Sequence, residues 1–311
     1  MVLYPKKGSR KLGAMRIENV LRTSVWDIRQ AIRRCDLVVG GGGNIFQDET
    51  SQRSFWYYDF LARYALKKHK PLVLLGHGFG KISRGYHYKR LKAILAHPLC
   101  TAILRDQVSY RYALRYCSNA RMGTDLGYGF LQNKEKPAGG SGKLGIMLKT
   151  PWPNIEKMVP IFHSEGIREI ELMVSHAREE LEIHSELEKR LKPIIPTNLR
   201  MGDINEITDT IASCDWLISE RLHGGIVASY FQVPFLIHKT PKMSSYFRGF
   251  QSFFREKCPT EIAFALSKSR DRQYRIHNND FVRIQEERYG MMLQWIEEIT
   301  KDFQEKIAVH F

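Results

Sequence analysis

The chain has 311 residues, 43% of them hydrophobic and 26% charged, a balance that gives ample core for one large or two ordinary domains and excludes a disordered or fibrous chain. Forty-eight Lys and Arg against 33 Asp and Glu leave a formal charge of +15, which directs attention to anionic partners without naming one. No apolar run approaches the ~20 residues of a membrane helix, and the basic start "MVLYPKKGSRKLG" lacks the apolar stretch of a signal peptide, so a cytoplasmic location is expected.

Residues 24–36 place apolar side chains at helical spacing, and "LVVGGGG" (37–43) then reads as a buried parallel strand opening into a glycine loop. An aromatic amphipathic helix is expected over 54–70, followed by "PLVLLGHGFG" (71–80), a second strand ending in glycines. Helix 85–97, strand 100–106 and helix 107–117 continue the alternation. The stretch "NKEKPAGGSGK" (133–143) has linker composition. Beyond it come strand 144–150, a helix at about 153–165, strand 168–174, helix 178–192 and strand "PIIPT" (193–197). Helix 204–214, strand 215–219, the helix that includes 226–232, strand 234–238 and one or two long helices over about 281–308 complete the chain. Strands alternating with helices of this length imply right-handed crossovers and parallel sheets. The expected fold is α/β, with two Rossmann-like doubly wound halves facing a cleft formed by strand ends. The expected domains are 1–132, a linker at 133–143, 144–270, and a C-terminal helical segment at 271–311.

The residues able to do chemistry fall at the expected strand ends. Gly41, Gly42 and Gly43 with Asn44 can offer backbone N–H groups to an anion, or can simply make a tight turn. His77 sits in "GHGFG" (76–80). Arg105 follows the buried run of "ILRDQVS" (103–109), where it either clamps an anion or pairs internally with Asp106 or a glutamate. Asp106 itself reads as an N-cap, with Ser109 in the first turn. In "SERLHGG" (219–225), Arg221 and His223 stand where a helix N-terminus presents its positive dipole end. That crowding of positive charge calls for an anion unless Glu220 neutralises it. Lys239 and Lys242 follow the next strand in "HKTPKMSSYF" (238–247). Together these cations are expected to line the cleft from both halves. There is no zinc or dinucleotide fingerprint and no G-x-S-x-G, and the five scattered cysteines read as reduced thiols, so neither a metal nor a bound cofactor is expected.

In this order, "CDLVVGGGGNIFQDETSQRS", "PLVLLGHGFG", "AILRDQVSY", "CDWLISERLHGGIVASYFQVP" and "TPKMSSYF" resemble the polysaccharide pyruvyltransferase family over about residues 35–250. The resemblance implies a two-domain fold related to GT-B glycosyltransferases. It implies transfer of the pyruvyl unit of phosphoenolpyruvate, a co-substrate, onto two hydroxyls of a sugar as a ketal. It places Arg105, His223 and Lys242 on phosphoenolpyruvate with Arg221 beside them, His223 as the acid or base, and His77 in reserve. The acceptor would be a cell-surface glycan or its lipid-linked precursor, and the basic surface with helix 54–70 would suit docking to anionic lipid at the inner membrane face. The family's opening strand and Gly/Asn-Gly-Asp-Glu loop are not found in residues 1–23, so a first domain short of its first strand is expected, and "TDLGYGFL" (124–131) replaces the usual Asp-Pro-Ala run. Two other readings stand beside this one. One is a nucleotide-sugar glycosyltransferase of the same architecture. The other is a nucleic-acid-binding or inactive glycan-binding protein, for which the base-reading motifs are missing, so no nucleic-acid partner is expected.

Overall fold

The computed structural model describes residues 2–4, 8–12, 15–49, 51–135, 141–269 and 271–308. The chain divides into two units, Met1–Leu126 with Glu287–Phe311, and Gly127–Glu286. Residues 136–140 of the expected linker lie outside the described residues.

The first unit begins with strands β1 (Val2–Tyr4), β2 (Gly8–Leu12) and β3 (Met15–Leu21), where the sequence reading placed none. They form a small sheet in which β3 pairs parallel with β1 and antiparallel with β2. Helix α1 (Val25–Arg34) is started by Ser24, whose Oγ accepts from Asp27 N at 3.2 Å, and it buries Ile28, Ala31 and Ile32. Then follow β4 (Val38–Gly43), α2 (Gln52–Lys67), β5 (Leu72–His77), α3 (Gly85–Leu95), β6 (Cys100–Leu104), α4 (Gln107–Ala113) and β7 (Asn119–Met122). The four strands make one parallel sheet in the sequential order β4-β5-β6-β7. With right-handed crossovers this order puts α2, α3 and α4 on one face. Alternation along β5 shows both faces in use. Leu72 and Leu74 pack with Phe55, Ile94 and Leu91, whereas Val73 and Leu75 pack with Met292, Trp295 and Ile299 near the C-terminus.

The second unit starts with α5 (Gly127–Leu131) and strand β8 (Lys143–Met147). A 3₁₀ turn at Ile155–Met158 leads into α6 (Val159–Ser164), then β9 (Glu169–Val174), α7 (Ala177–Leu191), β10 (Thr197–Met201), α8 (Ile204–Ser213), β11 (Trp216–Ser219), α9 (Leu222–Tyr230), β12 (Phe235–His238), α10 (Pro241–Tyr246), β13 (Phe253–Phe254) and α11 (Pro259–Ser269). The final helix, α12 (Arg272–Ala308), is a single element of 37 residues. Its residues to 286 belong to the second unit and the rest to the first. The expected strand at 193–197 is displaced: pairing runs over Thr197–Met201, because Pro193 and Pro196 have no N–H for a ladder, and Pro196 contributes only its carbonyl, to Ile170 N. All pairings in this sheet are parallel, in the order β10-β9-β8-β11-β12-β13. Numbered within the unit this is 3-2-1-4-5-6, the doubly wound order, with its reversal between β8 and β11. The expected α/β architecture of parallel sheets with a C-terminal helix is therefore the observed one. No helix among the described residues is long and apolar enough to cross a membrane.

Helix α9 lies close on this sheet because of its glycines. A Cβ on Gly224 would approach Ser219 Oγ to 2.6 Å and Met147 Sδ to 2.8 Å. One on Gly225 would overlap Ile237 Cδ1 and lie 2.9 Å from Cζ of the buried Phe247. Gly225→Ala is therefore expected to lower the free energy of unfolding by about 1–3 kcal/mol, the usual range for overpacking. Gly290→Ala in α12, where a Cβ meets nothing within 4 Å, should raise it by about 0.5–1 kcal/mol. Urea denaturation of both variants checks the contrast.

Candidate functional site

In an open parallel sheet the crevice forms beyond the strand C-termini where the winding reverses. In the second unit a cavity of about 660 Å³ occupies that place. Lys149 and Thr150 beyond β8, Ser175 and His176 beyond β9, Glu220 and Arg221 beyond β11, and His238 and Thr240 at β12 reach it. Helices α5 and α8 add Phe130, Leu131, Ile204, Ile207 and Ile211, so the lining is cationic at the strand ends and apolar along those two helices.

Two buried carboxylates organise the strand ends. Glu220, 5% exposed, accepts the backbone N–H groups of Lys149 at 2.6 Å and Thr150 at 2.9 Å, the Thr150 hydroxyl at 2.9 Å, and the Lys257 ammonium at 2.9 Å. Burial alone would raise its pKa, but the Lys257 hydrogen bond and the Lys149 N–H outweigh it and hold the carboxyl below its ordinary value. Glu180, equally buried, accepts from Ser175 N at 2.7 Å and His176 N at 3.0 Å. It also takes Nε and Nη2 of Arg221 in a close ion pair, and Glu179 receives Nη2 at 3.1 Å. The exposed Glu179 is held below its ordinary pKa, chiefly by that Arg221 bond. Beneath them His184 is buried, with Nε2 accepting from Leu148 N at 3.2 Å and Nδ1 on Glu180 O at 3.0 Å, and desolvation lowers its pKa.

Glu220 therefore does not neutralise Arg221, as the sequence allowed. It faces Thr150 and Lys257, while Arg221 is oriented by α7. The turn between β11 and α9 is fixed by Ser219 Oγ, which accepts from Arg221 N and donates to Arg221 O, both at 2.9 Å. The helix begins at Leu222, ahead of the two glycines, and no described side chain caps it. Its first turn brings Leu222, His223 and Gly224 to the cavity, and α10 brings Lys242. His223 and Lys242 are exposed. Lys149 carries a lowered pKa, first from desolvation and then from the charge of Arg221. Of the sequence candidates, Arg221, His223 and Lys242 are thus brought together. Lys239 is exposed but does not line the cavity. Lys149, His176, His238, Glu180 and Lys257 escaped the sequence reading. Lys149 and Thr150 at least ended a predicted strand, whereas Lys257 joins only through tertiary contact.

The first-unit candidates are built differently. Arg105 is 3% exposed and forms a close ion pair with Asp125, and its Nη2 donates to Asn44 Oδ1 at 2.7 Å. The internal pair is made, with Asp125 rather than Asp106. Asp106 is the N-cap of α4, accepting from Ser109 N at 2.9 Å. Arg105 and Asn44 hold each other across the ends of β6 and β4, and Arg105 offers almost no surface to a ligand. His77 is fully buried with Nε2 2.9 Å from Gly40 O, and burial lowers its pKa to about 4. It is a neutral strut between strands, which removes it as a reserve acid or base. The four glycines lie within β4 and not in a loop after it; Gly42 and Gly43 have φ of 57° and 80°, so the end of this strand needs glycine at both, while their surroundings would admit a Cβ. Gly41 meets only Leu126, at 3.6 Å. Among the described residues no cluster of His, Cys, Asp and Glu suits a metal ion.

The profile of the family described as polysaccharide pyruvyl transferase matches residues 3–237. The chain belongs to this family. The matched span contains both carboxylate-organised strand ends and the β11–α9 turn, and it stops just before His238, so Thr240 and Lys242 enter the cavity from outside it. No curated protein matches the chain. Among solved structures it is similar to TarM, at 12% identity and a TM-score of 0.44, over 75% of this chain and 50% of that one. It is also similar to the catalytic domain of starch synthase IV from Arabidopsis thaliana bound to ADP and acarbose, at 11% identity and a TM-score of 0.41, over 93% of this chain and 58% of that one. The chain thus spans 50% and 58% of the two solved chains.

Because the folded-state pKa of His77 lies below its ordinary 6.5, its contribution to stability is complete above pH 6.5. It is lost as the pH falls toward about 4, where the unfolded chain binds a proton that the folded chain refuses. The expected slope in that window is up to about 1.4 kcal/mol per pH unit. His77→Gln should flatten it, measured by urea denaturation at a series of pH values.

Proposed function

We propose that the second-unit cavity binds phosphoenolpyruvate and that the protein transfers its pyruvyl group to two hydroxyls of a sugar in a cell-surface glycan or its lipid-linked precursor. The observation carrying this reading is the convergence of Lys149, Arg221, His223 and Lys242 on one cavity, at the N-terminus of a helix with no described side-chain cap. A ligand bearing both a phosphate and a carboxylate suits such a lining, because cations and helix N–H groups are worth most where water is partly excluded. Arg221 is pre-oriented by Glu180, so little freedom is lost when it meets an anion. The cavity is several times larger than a three-carbon phosphate, which leaves room for the acceptor along α5 and α8.

In the proposed reaction a sugar hydroxyl adds to C2 of the enol phosphate while C3 takes a proton and becomes the methyl group. The hydroxyl proton leaves to a base, and phosphate then departs, taking up the proton that the second hydroxyl releases as it closes the ketal. We assign the movement of these protons to His223, a reading supported by its position in the first turn of α9 and its exposure at the cavity. Arg221 and Lys242 screen the departing phosphate.

A nucleotide-sugar glycosyltransferase remains the second reading, since a cavity of this size at the sheet's reversal also suits a nucleoside diphosphate. Thermal unfolding separates the two: phosphoenolpyruvate should raise the midpoint at millimolar concentration, and UDP- or CMP-sugars should not. Stabilisation by a nucleotide sugar alone would sink the pyruvyl reading. His223→Ala should lower phosphate release by about 10²–10⁴-fold with the unfolding midpoint unchanged, and undiminished turnover would remove His223 from the mechanism.

A further inference from the structure

The first unit carries a surface with no part in the cavity chemistry. Its four-stranded sheet is covered on one face by Met292, Trp295, Ile296 and Ile299 of α12 and on the other by α2, α3 and α4, so the outer sides of these three helices face away from the core. The sequence drew attention to the aromatic residues of 54–70, but most of them turn inward: Phe55 is fully buried, and Tyr57, Tyr58 and Phe60 pack at the edges of the core. On the outer sides of α2 and α3 the exposed aromatics are Trp56, Tyr86 and Tyr88, between 41% and 45% exposed, joined by the aliphatic Val108 at 64% and Leu114 at 52% at α4. The rings form two groups, one between α2 and α3 and one between α3 and α4. Trp56 stacks on Tyr86 at 5.9 Å and Tyr88 meets Tyr112 at 5.8 Å, with Tyr116 a further 5.4 Å from Tyr112.

Around these rings stand Lys81, Arg84, Lys89, Lys92, Arg111 and Arg115, all exposed. Lys92 lies over the Tyr116 ring at 4.9 Å and Arg84 over Tyr86 at 6.0 Å. The carboxylates of this layer are engaged elsewhere: Asp59 is buried against Arg90 at 2.5 Å, and Asp106 caps α4. Helices α3 and α4 contain none, and Glu49, ahead of α2, is the neighbouring exposed acid. The surface therefore interleaves cations with amphipathic rings and two bare aliphatic side chains.

We propose that this α2–α3–α4 surface docks the protein on an anionic lipid bilayer. Tyr and Trp prefer the headgroup zone, long cationic side chains keep their charge at the phosphates while their stems lie among apolar groups, and small aliphatics enter the acyl boundary. Nucleic acid fits less well. Trp56 already stacks on Tyr86 and carries Arg90 over its ring at 4.6 Å, so it is not the open platform that bases stack on, and Val108 and Leu114 have nothing to meet there.

The test is co-sedimentation of the full chain with vesicles of phosphatidylcholine alone or with added phosphatidylglycerol. Binding is expected only with the anionic lipid and should weaken sharply at high salt. The triple variant Lys89→Glu, Lys92→Glu, Arg115→Glu should bind at least about tenfold more weakly with an unchanged unfolding midpoint. Val108→Ser with Leu114→Ser, which leaves the charge intact, should weaken vesicle binding severalfold. Equal binding to neutral vesicles, or a triple variant that binds as well as the parent, overturns the proposal. Full vesicle binding by the serine variant, together with displacement by single-stranded RNA, would instead identify a general polyanion surface and also overturn it.

Discussion

A carboxylate taken out of water must be met by hydrogen bonds or cations on nearly every lone pair, and the strand ends of this protein are shaped by that requirement. Glu220 gathers two backbone N–H groups, a hydroxyl and an ammonium from two separate segments, 149–150 and Lys257, and Glu180 gathers two N–H groups and a guanidinium. Neither could be buried with a partner missing. The loops after β8 and β9 are thus pinned by side chains from β11 and α7. The same rule operates in the first unit, where Arg105 is buried only because Asp125 and Asn44 receive it.

This constraint sorts the cations by what they are able to do. Arg221 and Lys257 are held by internal carboxylates, and of the two only Arg221 lines the cavity. His223 and Lys242 reach the cavity from the starts of α9 and α10, where both are exposed. Glycine pairs in the two units serve different physical ends. Gly42 and Gly43 supply positive φ at the end of a strand, whereas Gly224 and Gly225 let a helix approach a sheet at backbone distance. Both kinds look alike as letters in a chain.

The alternation of helix and strand was legible because burial imposes a period of 3.6 on one and near-continuous apolarity on the other. The runs "PLVLLGH", "LGIMLKT" and "DWLIS" show it clearly. Short or peripheral elements escaped: β7 and β13 have too few residues to show a period, and β10 was displaced toward an apolar run whose prolines cannot join a ladder. Within the site, "SERLHGG" announced Arg221 and His223, since charge beside a predicted helix start is locally conspicuous. Glu180 and Lys257 gave no such signal, because a glutamate in a charged helix and a lysine in a loop are ordinary until something is packed against them.

The sequence by itself determined the α/β class, the order of most elements, and the residue types gathered at strand ends, because periodicity and turn chemistry act over a few neighbouring residues. Tertiary structure decided the doubly wound order of the second unit, the burial of Arg105 and His77, and the partner of every charge. Those outcomes depend on which groups the fold removes from water together, and that is a property of distances in space.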